Sequence, residues 1–191
     1  IGFSEHNPSV SKHNNDEIYS LIAKRNEAIE QIKLSNENIR ILKLLEIDIL
    51  TDGKLAIDEK SLDLLDGAIV SIHSSFKTNK TDMTKRVISG LSYPKAKILA
   101  HPTGRMFDFC KKNNKALEIN SWPNRLDLPD SLIKQAVKYG VKMIINTDSH
   151  SLPEMNLMKY GVAIARRGWA TKSDIMNSLD YSEFAEWLKA R

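Results

Sequence analysis

Short runs of branched apolar residues alternate along this chain with longer stretches whose apolar residues recur at helical spacing, and nothing else constrains its fold as much. Residues 68–72 (AIVSI), 97–100 (KILA), 115–120 (KALEIN) and 141–145 (VKMII) are short for helices, and their branched apolar content suits buried parallel strands. Residues 40–50 (RILKLLEIDIL) read as one further strand ending at the Thr51-Asp52-Gly53 turn, and residues 1–4 as a short strand running into Glu5-His6-Asn7-Pro8. Helices are expected over 14–36, with Asn15 or Asp16 as cap, and over 58–65. Others should cover 81–91, capped by Thr81 or Asp82, then 106–113, and 129–139 with Gly140 at the stop. Residues 153–159 read as helix, 161–165 as extended, and 172–179 and 182–189 as two final helices. Parallel strands need long crossovers, so this rhythm predicts βα units in a barrel or doubly wound sheet.

Composition narrows the class. The chain has 191 residues, 41% hydrophobic and 27% charged, as a single globular domain spanning 1–191 would. No apolar stretch reaches the length of a membrane span, and no signal-peptide pattern opens the sequence. One cysteine, Cys110, excludes an internal disulfide framework and suits the reducing cytoplasm. The net charge of +4 leans toward a polyanionic partner. Because the chain opens on Ile1 in what reads as the end of a strand, the sequence is expected to be an N-terminally truncated fragment of a larger protein.

The chemistry lies where the strands end. His6, His73 and His101 each terminate a predicted strand, Asp148 and His150 follow another, and Glu46 lies inside the 40–50 segment. Four of the five histidines thus fall at strand ends; His13 is in a polar loop. In parallel α/β folds, sites form at the carboxyl ends of strands, so these six side chains could ring one cavity. Asp148 and His150 share a side if the backbone stays extended there. Six nitrogen and oxygen donors exceed one tetrahedral ion, and no thiolate is near, so the set predicts at least two divalent ions rather than a structural zinc knot. Such a cluster activates water and clamps phosphoryl oxygens, which makes phosphoester hydrolysis the leading reaction. Glu46 has two oxygens with which to bridge ions.

Several motifs in order carry a resemblance: Phe3-Ser4-Glu5-His6, Leu45-Glu46-Ile47-Asp48, Ser71-Ile72-His73-Ser74, His101-Pro102-Thr103-Gly104-Arg105, Leu117-Glu118-Ile119-Asn120 and Asn146-Thr147-Asp148-Ser149-His150. Together they resemble the PHP (polymerase and histidinol phosphatase) domain. With Tyr160-Gly161 and Arg166-Arg167-Gly168-Trp169, the chain is more similar to the PHP domain at the C-terminus of bacterial and archaeal family X DNA polymerases. The resemblance implies a distorted (βα)7 barrel of the PHP type, here lacking its first βα unit with the His-x-His strand. It implies a metal site of two or three ions, manganese first, with zinc or iron as alternatives. It implies 3′-to-5′ exonuclease and DNA-end-processing activity in repair, on DNA 3′ ends, with upstream polymerase domains in the parent chain. By the same match His6, Glu46, His73, His101, Asp148 and His150 are metal ligands, with Glu46, His73 and Asp148 carrying the catalytic roles. Ser4-Glu5-His6 departs from the usual Thr-Asp-His, and Leu45 from the usual Gly. Without the first βα unit, fewer ions and weak or no activity are expected of the fragment. A small-molecule phosphatase of the histidinol-phosphate type and a non-catalytic bracing module are the rival readings.

Phosphate needs donors, and arginine's planar fork fits best. Arg105, Arg125 and Arg167 are expected at substrate phosphate or DNA, with Asn120 pointing inward from the same strand face as Glu118. Lys77, Lys80, Lys85 and Arg86 after His73 could line a track for a DNA strand, and Trp122 could stack on a base.

Overall fold

The computed structural model describes residues 1–190 except 101 and 103–105. Among the described residues the chain is mixed α/β. Its strands are β1 (Gly2–Phe3), β2 (Leu42–Lys43), β3 (Glu46–Asp48), β4 (Ala68–Ser71), β5 (Ala96–Leu99), β6 (Ala116–Asn120) and β7 (Met143–Asn146). Its helices are α1 (Asn15–Ser35), α2 (Glu59–Asp63), α3 (Lys80–Leu91), α4 (Phe107–Lys112), α5 (Asp130–Tyr139), α6 (Met158–Arg167) and α7 (Tyr181–Lys189). β1 pairs with β2, and the five strands β3 to β7 follow one another in chain order; the pairs β3/β4, β5/β6 and β6/β7 are parallel. Two compact units divide within β5: Ile1–Lys97 with the chain end from Ala185, and Ile98–Phe184.

In the first unit, the expected single strand over 40–50 is broken in two. Leu44 and Leu45 are both buried, so the strict alternation of an exposed-face strand fails there. The chain changes partners at that point. Leu44 N–H donates to Phe3 O beside β1, and Leu45 O accepts from Ile69 N–H of β4. β3 then runs with β4 on one side and residues 5–7 on the other, through Glu46 N–H to Glu5 O and Asn7 N–H to Glu46 O. Ile47, Ile49 and Val70 are wholly buried around this strand, each worth about 1.5–3 kcal/mol of removed apolar surface.

The cap of α1 is Asn14 rather than Asn15 or Asp16. Its side chain accepts from Glu17 N–H while Glu17 accepts from Asn14 N–H, a reciprocal capping box. The buried stripe of α1 is Ile18, Ile22, Asn26 and Ile29, three or four residues apart, while Leu21, Ile32 and Leu34 are exposed. α3 likewise starts from Asn79, whose side chain accepts from Thr81 and Asp82 N–H, rather than from Thr81 or Asp82.

In the second unit, Gly140 closes α5 in the left-handed region at φ 71°, as a C-terminal glycine should. The segment 161–165, expected to be extended, is helical within α6. Gly161 and Ala165, four residues apart, form its buried face; a Cβ at Gly161 would collide with Ser121 and Ile145, so the small stripe lets the helix close on β6 and β7. Branched Val162 and Ile164 mimic a strand in sequence, but packing on glycine and alanine overrides that propensity. The expected helix over 172–179 is two 3-10 turns, Lys172–Asp174 and Met176–Ser178, and Leu152–Leu157 is also 3-10.

Candidate metal centre

Residues 5–7 and β4 flank β3, and this sets the geometry of the first cluster. His6 bridges to Glu46 in parallel register, which places an imidazole beside the carboxylate. On the other flank Asp48 is in register with Ser71, and His73 follows two residues later. His6, Glu46 and His73 therefore converge, each offering a ligand atom, with these atoms all within 4.8 Å of one another. Glu46 Oε2 stands 4.0 Å from His6 Nδ1, and Glu46 Oε1 stands 3.4 Å from His73 Nε2. The two rings meet edge to face, with centroids 5.0 Å apart.

The donor set suits a divalent ion. Two imidazoles and a carboxylate are borderline and hard ligands, with no thiolate among them. Two donors on one tetrahedral ion, each about 2.1 Å from it, stand roughly 3.4 Å apart, which the His73 and Glu46 atoms match. Asp48 completes the arrangement: its Oδ1 lies 2.6 Å from His73 Nδ1, with Ser71 Oγ at 3.3 Å from the same nitrogen. A proton on Nδ1 donated to Asp48 leaves the Nε2 lone pair toward Glu46, the carboxylate–histidine arrangement typical of metal sites. Asp48 is a residue the sequence reading passed over. The signal was there, because Glu46 and Asp48 two apart on one strand must share a face.

Two arginines brace these strand ends through backbone carbonyls. Arg25 of α1 donates to Phe3 O, to Leu44 O and, through Nε and Nη2, to both oxygens of Glu5 beside His6. Burial would raise the Glu5 carboxyl, but the bonds and charge of Arg25 outweigh it and hold the group below its usual range. Arg86 of α3 is buried. It donates to Leu50 O at 2.8 Å, Ser74 O at 2.9 Å and Ser74 Oγ at 3.2 Å, and also to Ile49 O. Burial pushes its guanidinium down from its ordinary value, while the charge of Asp48 works the other way. The expectation that Arg86 lines a DNA track is therefore corrected: its charge is spent on carbonyls inside the fold. Its helical neighbour Lys85 is exposed, and the sequence carries no sign that tells the two apart.

The second unit holds a different cluster. Asp148 lies in the loop after β7 with φ 51°, in the left-handed region, so the extended backbone assumed for Asp148 and His150 is not what the chain adopts. Its Oδ2 accepts from Asn120 Nδ2 at 3.1 Å and pairs with Arg125 Nη1 at 3.4 Å. Asn120, fully buried, is fixed at its other end, where Oδ1 accepts from Trp122 N–H. Glu118, on the same strand face, accepts from Asn146 Nδ2 at 2.9 Å. His150 is exposed. Its Nδ1 lies 3.0 Å from Asp148 O, its N–H donates to Glu154, and its ring stands edge-on to Trp122 at 6.5 Å. Arg167 pairs with Asp130 at 2.9 Å at the start of α5, apart from Asp148 in its pairings. The expected ligand His101 and phosphate donor Arg105 lie outside the described residues.

Fold and cluster define a mixed α/β protein with a candidate His/Glu metal site. No family model matches the chain. It is 37% identical over 175 residues to the DNA polymerase/3′-5′ exonuclease PolX of Bacillus subtilis (strain 168), a match covering 84% of this chain and 31% of that protein. The chain thus spans about a third of the length of the curated relative it matches. Among the described residues no helix is long and apolar enough to cross a membrane.

Proposed function

We propose that this chain is a PHP-type metal-dependent phosphoesterase, part of a family X DNA polymerase, which removes nucleotides from DNA 3′ ends in repair. The observation that carries the reading is the convergence of His6, Glu46 and His73 with Asp48 behind His73. The similarity to a relative named as a polymerase and 3′-5′ exonuclease supports the choice of DNA over a small phosphomonoester. A distorted barrel, a cytoplasmic setting and manganese as the ion belong to the same proposal.

In this reading His6, Glu46 and His73 hold an ion, and His101, Asp148 and His150 are further ligands. Bound divalent ions would supply an activated water and offset the charge of the phosphoryl oxygens. The chain's own residues do the positioning. Asp48 holds the His73 ring so that Nε2 presents its lone pair, and Asn120 holds the Asp148 carboxylate. Arg125, a side chain 47% exposed, is the described guanidinium proposed to meet a substrate phosphate.

The test is release of the terminal nucleotide from a 3′-labelled oligonucleotide with and without Mn2+. Weak ion-dependent shortening from the 3′ end is expected, and His73→Ala should abolish it. Hydrolysis of short phosphomonoesters with no action on the oligonucleotide would favour the phosphatase reading, and no hydrolysis of either would favour a bracing module.

A further inference from the structure

We propose that Phe76 is a stacking platform for an unpaired nucleobase of the DNA strand, an assignment that rests on the reading of this chain as a nuclease. Phe76 is 70% exposed, although phenylalanine is an apolar side chain that folding usually removes from water. It lies three positions after His73, a span of at most about 10 Å along the chain.

The segment that carries Phe76 is held in one shape. Its base is pinned where Arg86 donates to Ser74 O at 2.9 Å and Ser74 Oγ at 3.2 Å. Ser75 then turns the chain through the left-handed region at φ 56°. The turn is closed by Thr78, whose N–H and hydroxyl both donate to Ser75 O, at 3.2 and 2.8 Å. Asn79 ends the segment by capping α3. Phe76 and Lys77 are left at the crown, both exposed, with exposed Lys80 just beyond.

An aromatic face in water beside ammonium groups is the pairing that single-stranded nucleic acid recognises: bases stack on the ring, and cations follow the backbone. Inside a duplex both faces of a base are covered by its neighbours, so only an unpaired or frayed base can cover a phenyl ring. The net charge of +4 favours a polyanion over a second, equally basic copy of this chain. A base seated on Phe76 would lie within a few residues of the His73 ligand.

The experiment uses an oligodeoxynucleotide with 2-aminopurine at its 3′ end, titrated in EDTA so that no hydrolysis intervenes. Wild type should quench the terminal base, and Phe76→Ala should weaken binding by roughly 5- to 150-fold. Phe76→Trp should bind at least as well as wild type, and Phe76→Leu should behave like the alanine variant. Equal affinity across the series overturns the proposal. Full affinity in Phe76→Leu overturns it too, since an apolar contact without stacking would then suffice. So does self-association in sedimentation that is lost in Phe76→Ala while oligonucleotide affinity stays unchanged, which would assign the ring to a second copy of the chain. Mn2+-dependent shortening by wild type tests the parent reading separately. If wild type cuts and Phe76→Ala binds normally, stacking alone fails; if wild type neither binds nor cuts, both fail.

Discussion

Glu46 in the first unit faces two imidazoles, at 3.4 and 4.0 Å, whereas Asp148 in the second faces a guanidinium at 3.4 Å and an amide at 3.1 Å. Neutral imidazoles are donors to a cation, so the first carboxylate sits in a set that gains by taking one. The second already has a cation beside it, and an ion arriving at Asp148 must compete with Arg125. Backbone differs as well: Glu46 is on a strand paired on both flanks, and Asp148 is on a loop at positive φ. A group built on paired strands is pre-positioned for coordination; one built on a loop and offset by an arginine is poised to exchange partners.

That contrast can be broken by measurement. Glu46→Gln should weaken Mn2+ binding by more than about 100-fold in calorimetric titration, since even outer residues of such sites are worth about 10–100-fold. Asp148→Asn should weaken it less, and an equal or larger loss there would reverse the comparison. Arg86→Met should lower stability by about 2–3 kcal/mol in urea unfolding, because charged hydrogen bonds to carbonyls at the ends of β3 and β4 are lost. Arg125→Ala, exposed and paired across 3.4 Å, should cost less than about 1 kcal/mol. Matching losses would show that the two arginines do the same work.

Asp48→Asn should weaken Mn2+ binding about 10- to 100-fold by loosening His73, with circular dichroism unchanged. No change would mean that the Asp48 contact leaves the ring unconstrained. A pH-dependent effect belongs to the second unit's core, where burial pushes the Cys110 thiol up to about 12 from an ordinary value near 9. Its raised value means stability is fully present below about pH 9 and is lost as pH rises from there toward 12, where unfolded chains ionise and native ones do not. At pH 10 this amounts to about 1 kcal/mol. The stability difference between wild type and Cys110→Ala should therefore shift by that amount in the variant's favour between pH 7 and pH 10. A constant difference would show that the thiol is hydrated in the native state.

Much of this architecture was legible in residue order, and the exceptions have physical causes. The parallel strands β4 to β7 were marked by branched apolar runs, and Gly140 by its place after the last helical residue. Helix α6 was misread because Val162 and Ile164 favour strands in isolation, while the need for small residues against Ser121 and Ile145 is visible only once they are neighbours. The break between β2 and β3 was hidden for a like reason: it arises where one segment exchanges β1 for β4 as its partner. In the candidate site, His6 and His73 could be named from their positions at the ends of predicted strands and Glu46 from its place inside one, and Asp48 could have been named from strand parity. Arg86 could not, since a buried arginine and a solvated one look alike in a helix.

Residue identities alone determined which chemistry is on offer: imidazoles and carboxylates without thiolates, spaced so that strands deliver them. Tertiary structure decided which of those groups meet and which are already matched by an internal charge, because hydrogen bonds and ion pairs act only over a few ångströms. That is why Glu46 and Asp148, alike as acids in the sequence, stand beside different partners: imidazoles for one, a guanidinium and an amide for the other.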